Sequence, residues 1–186
     1  PPSGSDWDQD GRFSPARIKG DLTINEGEVM MDDGTGNSQN YTMNDVLITG
    51  TGAIIWFGGA NRPLNLDCNS FVDNSTNIIS SKLKSICFGA VTWNIAGDLT
   101  LGHKFFVIEG TLSEAATATI NVGGNFNISG DSVSIMRQVS GVLNLNVTGN
   151  TIISGNPSYV RFMEGNTGTM TFNTNNFYIQ GGTNNI

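Results

Sequence analysis

Residues 121–130, Asn-Val-Gly-Gly-Asn-Phe-Asn-Ile-Ser-Gly, carry a pattern that recurs along the chain. Similar segments stand at residues 94–101 (NIAGDLTL) and at residues 146–155 (NVTGNTIISG). In each copy, an Asn or Asp follows a glycine and precedes alternating apolar residues. Self-similarity at a nearly fixed period is the signature of a repeat architecture, so the Asn or Asp is taken as the anchor of a repeat.

The same frame, extended in both directions, gives seven anchors that are 24, 24, 29, 27, 25 and 26 residues apart. An aliphatic residue stands three positions after every anchor. We expect these aliphatic residues to form one buried column, each contributing about 1.5–3 kcal/mol by burial. The anchors are Asp21, Asp45, Asn69, Asp98, Asn125, Asn150 and Asn176. The expected column is Ile24, Ile48, Val72, Leu101, Ile128, Ile153 and Ile179.

Within one period, the apolar residues follow the two-residue spacing of strands and not the spacing of helices. In the copy that begins at Asp98, Leu99 and Leu101 alternate, a second apolar run spans 105–108, and a third spans 117–122. Three short strands and three turns in about 25 residues describe one coil of a parallel β-helix. The sequence therefore predicts an all-β, right-handed parallel β-helix (β-solenoid) of about seven coils of 24–29 residues. Coils stack about 4.8 Å apart, which gives a rod on the order of 35 Å long.

The anchors are suited to a tight corner between strands. Asn and Asp tolerate the left-handed backbone, and side chains stacked at one corner can bond to the neighbouring coil. The pattern resembles the asparagine ladder of right-handed parallel β-helix proteins. Over residues 16–182, the Gly-Asn repeat is also similar to the long secreted surface proteins and adhesins of gliding and predatory bacteria. This resemblance implies a β-solenoid that is secreted and lies outside the cell or at its surface.

The composition agrees with strands and turns, and it limits the partners. Gly (24) and Asn (23) are the commonest residues, and 13% of residues are charged, against roughly 25% in ordinary domains. The formal net charge of −7 argues against nucleic acid and anionic membranes as partners. No apolar run approaches the roughly 18 residues that a membrane-spanning helix needs. We expect a linker or cap at residues 1–15 and a β-helix domain at residues 16–186, cut from a longer secreted chain.

Residues 6–11, Asp-Trp-Asp-Gln-Asp-Gly, contain a recognisable ligand motif. Aspartates at alternate positions before a glycine match the first half of an EF-hand-type loop, which packs carboxylate oxygens around calcium. The second half departs from that motif, because Arg17 stands where a bidentate Glu is expected. Asp6, Asp8 and Asp10 are therefore candidate calcium ligands. The alternative is a solvated acidic segment that binds no ion.

A polysaccharide-active β-helix enzyme is an alternative of a different class. Asp21 and Asp45 occupy one column in adjacent coils, so their carboxyl groups can lie roughly 5 Å apart, near the spacing of a retaining glycosidase pair. The same column continues with interchangeable Asn and Asp, which favours a corner ladder instead. His103 is the single histidine, and it has no partner for a zinc site or a catalytic triad. We therefore expect no catalytic residues and no enzymatic activity.

A flat surface of Thr and Asn is a third possibility for function. Such a surface can bind ice or surface glycans, but Thr and Asn are also ordinary residues of an exposed strand. The irregular coil lengths argue against the lattice match that ice requires. The aligned residues are Asn65, Asn94, Asn121 and Asn146, and two positions earlier Thr92, Thr119 and Asn144.

Two further expectations concern the longest step between anchors, which runs from Asn69 to Asp98. The polar residues 80–85 should bulge from their coil as a loop. Cys68 and Cys87 lie on either side of it and are either bridged or free. Their apolar surroundings favour buried free thiols.

The two ends of the rod are expected to differ. Trp7 and Phe13 can cover the first coil, whereas nothing equivalent follows Ile179. An uncovered strand edge invites association. We therefore expect a non-enzymatic structural or adhesive module of a surface filament or adhesin. Its open C-terminal coil would join adjoining domains or identical subunits.

Overall fold

A computed structural model describes residues 7–8, 20–32, 39–51, 53–57, 64–75, 85–86, 90–102, 105–109, 115–130, 132–137, 140–155, 159–164 and 168–180. All regular elements within these residues are β-strands. In this part of the chain, no helix is long and apolar enough to cross a bilayer. The strands are β1 (Trp7–Asp8), β2 (Leu22–Ile24), β3 (Glu28–Asp32), β4 (Gln39–Thr42), β5 (Asp45–Ile48), β6 (Ala53–Phe57), β7 (Leu64–Cys68), β8 (Ser70–Asp73), β9 (Ser85–Ile86), β10 (Ala90–Ile95), β11 (Leu99–Leu101), β12 (Phe105–Glu109), β13 (Ala115–Val122), β14 (Phe126–Ile128), β15 (Ser132–Arg137), β16 (Ser140–Val147), β17 (Thr151–Ser154), β18 (Tyr159–Glu164), β19 (Gly168–Asn173) and β20 (Phe177–Gln180).

The strands form three faces. Face I is the seven-stranded sheet β2-β5-β8-β11-β14-β17-β20, and face II is the six-stranded sheet β4-β7-β10-β13-β16-β19. Face III comprises the sheets β1-β3-β6-β9 and β12-β15-β18, and β9 and β12 lie next to each other. Every pair of neighbouring strands in these sheets is parallel, because successive coils run in the same direction.

The chain visits face I, then face III, then face II before it returns to face I one coil further on. This path is a parallel β-solenoid, as the repeat predicts. Six coils carry strands on all three faces, and β20 alone among the described strands belongs to a seventh. The three runs predicted after Asp98 correspond to β11, β12 and β13.

The predicted core column on face I has the correct register on both sides of the third coil and the wrong register within it, and its last member, Ile179, is exposed and not buried as predicted. Ile48 pairs with Asp73, and Asp73 pairs with Leu101, so Asp73 and not Val72 occupies the column. Asp73 is fully buried, whereas Val72 faces outward and is half-buried. The fully or almost fully buried members that were predicted correctly are Ile24, Ile48, Leu101, Ile128 and Ile153.

The same one-residue shift applies to the anchor of the third coil. Asp45 pairs with Ser70, so Ser70 is the anchor in place of the predicted Asn69. Asn69 is the corner residue before it, and its carbonyl oxygen accepts a hydrogen bond from the Gly97 N–H (2.5 Å). The prediction failed because the corner position accepts Asn as well as Gly, so the Asn was matched one position too early.

The core fills the space between the three faces. Its largest fully buried side chains include Trp93, Phe71 and Phe126, and the ring centroids of Phe71 and Trp93 are 5.2 Å apart. Thr151 lies between Phe126 and Phe177 in one column of face I. The hydroxyl groups of Thr151 and Thr174 form a hydrogen bond of 3.1 Å. The interior is therefore apolar along its length with a few polar residues that are hydrogen-bonded locally.

Candidate functional site

Face II presents two rows of polar side chains on its outer surface. Asn65 pairs with Thr92 and not with Asn94, which corrects the predicted alignment. The predicted frame failed because two residues separate Asp67 from its anchor Ser70, while three separate Asn94 from its anchor. Row 1 contains Asn40, Asn65, Thr92, Thr119, Asn144 and Thr171. Row 2 contains Thr42, Asp67, Asn94, Asn121, Asn146 and Asn173.

Row 2 is a continuous ladder of side-chain hydrogen bonds. The Nδ2 of Asn94 donates to the Oδ1 of Asp67 at 2.7 Å. The Nδ2 of Asn121 donates to Asn94 at 2.8 Å, and that of Asn146 donates to Asn121 at 2.9 Å. The Nδ2 of Asn173 donates to Asn146 at 2.8 Å. One line of amides thus ties together five successive strands of face II.

The anchors form a second ladder at the corner between faces II and I, as predicted. The side chains of Asp21 and Asp45 lie at this corner in adjacent coils, and both are exposed. Asp45 takes part in the ladder as an acceptor. The bonds are Ser70 Oγ to Asp45 Oδ1 (2.7 Å), Asn125 N–H to Asp98 Oδ1 (2.6 Å), Asn150 N–H to Asn125 Oδ1 (3.0 Å) and Asn176 Nδ2 to Asn150 Oδ1 (2.9 Å).

Both ladders run in one direction. In every bond the donor belongs to the later coil and the accepting Oδ1 to the earlier coil. Asp67 imposes this direction on row 2, because a carboxylate oxygen accepts from the amide of Asn94. At the corner, the backbone N–H groups of Asn125 and Asn150 impose it, because they can only donate. Asn94 must turn its amide nitrogen toward Asp67, which leaves its oxygen facing the next coil. The last oxygens of the two ladders, on Asn173 and Asn176, receive no donor from the described residues.

A shallow groove of about 630 Å³ follows row 2 and the adjoining corners across five coils. Amides of Asn94, Asn121 and Asn146 line it, Asp67 contributes a carboxylate, and no Lys or Arg is among the lining residues that the structure describes. Among the described residues, the walls of the groove therefore combine amide and carboxylate groups with apolar surface and carry no positive charge.

Cys68 also borders this groove, with only 6% of its surface exposed. It is a free thiol, as the sequence favours. Burial raises the pKa of the Cys68 thiol to about 12, and the carboxylates of Asp45 and Asp67 contribute to the increase. The thiol is accordingly protonated and a poor nucleophile near neutral pH. Its possible partner Cys87 lies outside the described residues.

No described strand pairs with the outer side of β19 or β20, which form the C-terminal edge of the solenoid. Ile179 is 48% exposed although its column neighbour Ile153 is fully buried. Phe177 and Met170 are 39% and 37% exposed in columns that are buried in earlier coils. Phe172, which is partly buried, packs edge-on against the Phe177 ring with a centroid distance of 5.9 Å. The edge therefore carries a cluster of apolar side chains facing outward along the rod.

The opposite end is different. In the first coil, Ile24, Tyr41 and Met43 are 4–5% exposed. Strand β1 pairs in parallel with β3, so part of the predicted cap is an additional strand of face III. The predicted loop at 80–85 lies mostly outside the described residues, and Ser85 belongs to β9.

The structure leaves the predicted calcium motif untested. Asp6 and Asp10 lie outside the described residues, and Asp8 is known only as a backbone position in β1. Among the side chains that the structure does describe, no group of three or more His, Cys, Asp or Glu is placed to hold a metal ion. His103 also falls outside the described part.

Comparison of the chain with protein-family models, curated proteins and solved structures finds no match. The chain is a parallel β-solenoid, and its candidate functional features are the two ladders and the exposed apolar edge of β19 and β20. The sequence reasoning missed Asp67 as a member of row 2, although the alternation of Leu64, Leu66 and Cys68 could have placed Asp67 on the outer surface of face II. It gave two conflicting expectations for Ile179, which it placed both in the buried column and in a coil with nothing to cover it, and Ile179 is exposed.

Proposed function

We propose that the chain is a non-enzymatic, extracellular structural or adhesive module that acts as a stiff segment of a surface filament or adhesin. Its C-terminal end joins an adjoining domain or subunit. The observation that carries the proposal is the apolar C-terminal edge of β19 and β20, which contrasts with the covered first coil.

The stiffness of such a segment follows from its continuous pairing. Face I runs unbroken from β2 to β20, and the row 2 ladder crosses face II in the same direction. Neighbouring coils are joined by backbone pairing on faces I and II, and on face III except between β9 and β12. Side-chain hydrogen bonds in row 1, in row 2 or at the corner add to this pairing. A rod of this kind resists bending because every bend must open these bonds on one side.

The uncovered edge indicates a joint. An edge strand with exposed apolar residues is a template for pairing, and soluble repeat proteins normally cover it. Phe177 and Ile179 expose core-type side chains at this edge. Covering them with another folded element removes apolar surface from water and would extend the rod.

Hydrogen exchange of the 186-residue chain tests whether the edge is open in solution. We expect the amides of β19 and β20 to exchange quickly and those of β13 and β16 to be protected by at least about a hundredfold more. Slow exchange of β20 in a monomer, as slow as that of β14, would contradict the proposal.

A screen for depolymerisation of neutral and acidic polysaccharides tests the non-enzymatic part. We expect no new reducing ends. Cleavage that is lost in Asp21→Asn and Asp45→Asn variants would establish the polysaccharide-active alternative.

Carbohydrate binding on face II is a second candidate, favoured by the amide-lined groove along row 2. Because Asp67 is the one charged side chain among the described residues that line it, the groove suits a neutral glycan better than an acidic one. Affinity electrophoresis in gels containing a neutral or an acidic polysaccharide tests this candidate. Retardation by the neutral polymer should be weakened by Asn121→Leu and unchanged by the substitution Thr23→Ala, which lies on face I.

A further inference from the structure

We infer that the C-terminal edge is a directional docking surface for one further coil of this repeat, which adds in parallel and donates hydrogen bonds to Asn173 and Asn176. This inference rests on the proposed function, since it names what covers the open end. It is carried by the exposed core columns and by the direction of the two ladders.

The apolar part of the edge defines how the incoming strand must lie. On face I, Phe177 and Ile179 continue columns whose earlier members, such as Phe126 and Ile128, are fully buried. A strand that pairs in parallel with β20 and carries apolar residues at these two positions would complete both columns. The same reasoning holds for Met170 on face II.

The polar part of the edge defines which atoms the incoming coil must supply. The ladders end in the Oδ1 atoms of Asn173 and Asn176, which stand where Asn146 and Asn150 accept bonds in the coil before. Both ends are therefore acceptors. The matching partner carries a side-chain amide or a backbone N–H at each of these two columns, as the preceding coils do.

A second copy of this chain does not meet these requirements. Two C-terminal edges related by a twofold axis run in opposite directions, so a second copy would pair antiparallel and could not continue the parallel columns of the solenoid. The first coil of another copy is not available either, because Ile24, Tyr41 and Met43 are already almost fully buried. The geometry thus selects a coil that continues the repeat in the direction of the chain.

A coil inserted into the full chain tests the inference. A copy of residues 155–180 is placed between Gln180 and Gly181, which preserves the register because Ser154 and Gln180 are paired positions. We expect a higher Tm and, for the original β20 amides, protection that rises about tenfold or more. The matched control carries Asn173→Asp in the inserted copy only, because row 2 bonds are donated by side-chain amides whereas an Asp at the Asn176 position would still offer its backbone N–H. The new carboxylate cannot donate to the Oδ1 of the original Asn173, so part of the gain should be lost.

Two results would overturn the inference. One is an inserted coil that leaves the original β20 unprotected, and the other is an equal gain in the insertion and its Asp control. Should the insertion fail to fold, sedimentation of the unmodified chain provides an independent measurement. We expect a monomer, and a dimer that the Ile179→Lys substitution abolishes would show that a second copy does fit the edge.

The outcomes also separate the inference from the proposed function. If β20 is already protected in the unmodified chain, the open joint itself is wrong. If β20 exchanges quickly but the inserted coil does not protect it, the joint stands and only the parallel, donor-carrying coil is excluded.

Discussion

At the scale of single residues, a few polar side chains are buried in the otherwise apolar interior of the solenoid. Asp73 occupies a column otherwise filled by aliphatic residues, and its Oδ1 accepts the N–H of the buried Ser75 at 2.9 Å. The carboxylate thereby turns the chain out of β8. An aliphatic residue at this position would pack as well but would leave that N–H without its acceptor.

The Asp73→Ala substitution should therefore destabilise the protein by about 1–3 kcal/mol, because it strands a buried donor. Asp73→Asn keeps an oxygen for the Ser75 N–H and should cost clearly less. Urea unfolding of the two variants measures the difference. Equal losses would show that the bond to Ser75 does not matter for stability.

Cys68 gives the stability of the protein a dependence on alkaline pH. Because the pKa of its thiol is raised to about 12 in the fold, the contribution of the neutral thiol is complete below the unfolded pKa of about 8.5 and is lost as the pH rises toward 12. The difference in unfolding free energy between the wild type and Cys68→Ala should be constant from pH 6 to about 8 and then decrease. Urea unfolding of both proteins between pH 6 and 10.5 tests this, and a constant difference up to pH 10.5 contradicts it.

At the scale of elements, the corners determine how well the sequence predicts the structure. Where Gly precedes the anchor, as at Asp98 and Asn125, the predicted anchors and strands are correct. The Gly before Asn125 is required, since a Cβ on Gly124 would collide with the Asp98 side chain and the Gly97 backbone. This steric constraint keeps a glycine before the anchor, and a search for repeats detects that glycine.

The third coil has no glycine before its anchor. Its corner is Asn69 and its anchor is Ser70, whose hydroxyl serves the ladder in place of an amide. Ser70 keeps the hydrogen-bonding role of the anchor, although it is neither Asn nor Asp. A search that matches residue types therefore places the anchor one residue too early, at Asn69. Membership of the column also did not predict the burial of Ile179, because the burial of a column member depends on what packs against its outer side.

The direction of the row 2 ladder predicts an asymmetry between two substitutions that exchange Asn and Asp. Asn121→Asp removes the donor to Asn94 and places two acceptors against each other, which should cost about 1–2 kcal/mol. Asp67→Asn keeps the acceptor for Asn94 and should change stability by less than about 0.5 kcal/mol. Thermal unfolding of both variants tests this, and the reverse order would refute the assigned direction.

At the scale of the whole molecule, the two ends of the rod differ in how they treat the same column. The column begins at Ile24, which is 4% exposed, and finishes at Ile179, which is 48% exposed. An isoleucine at the same column position is therefore buried in the first coil and exposed in the last described one.

A Lys substitution exposes this difference. Ile153→Lys buries a charge in the centre of the core and should cost more than about 4 kcal/mol or prevent folding. Ile179→Lys lets the ammonium group reach water and should cost less than about 1 kcal/mol. Urea unfolding of the two variants is the measurement. A comparable loss in both would mean that Ile179 is covered in solution.

The sequence separation between ladder partners also constrains the order in which the coils of this chain can fold. Partners in the ladders are 25–27 residues apart, so no coil is stabilised until a loop of that length has closed onto a neighbour already in place. The slow step is then the first pair of coils, and each later coil condenses on the template of the previous one. Growth can proceed from the middle toward either end, and we expect fraying to begin at β20, whose apolar side chains Phe177 and Ile179 are exposed.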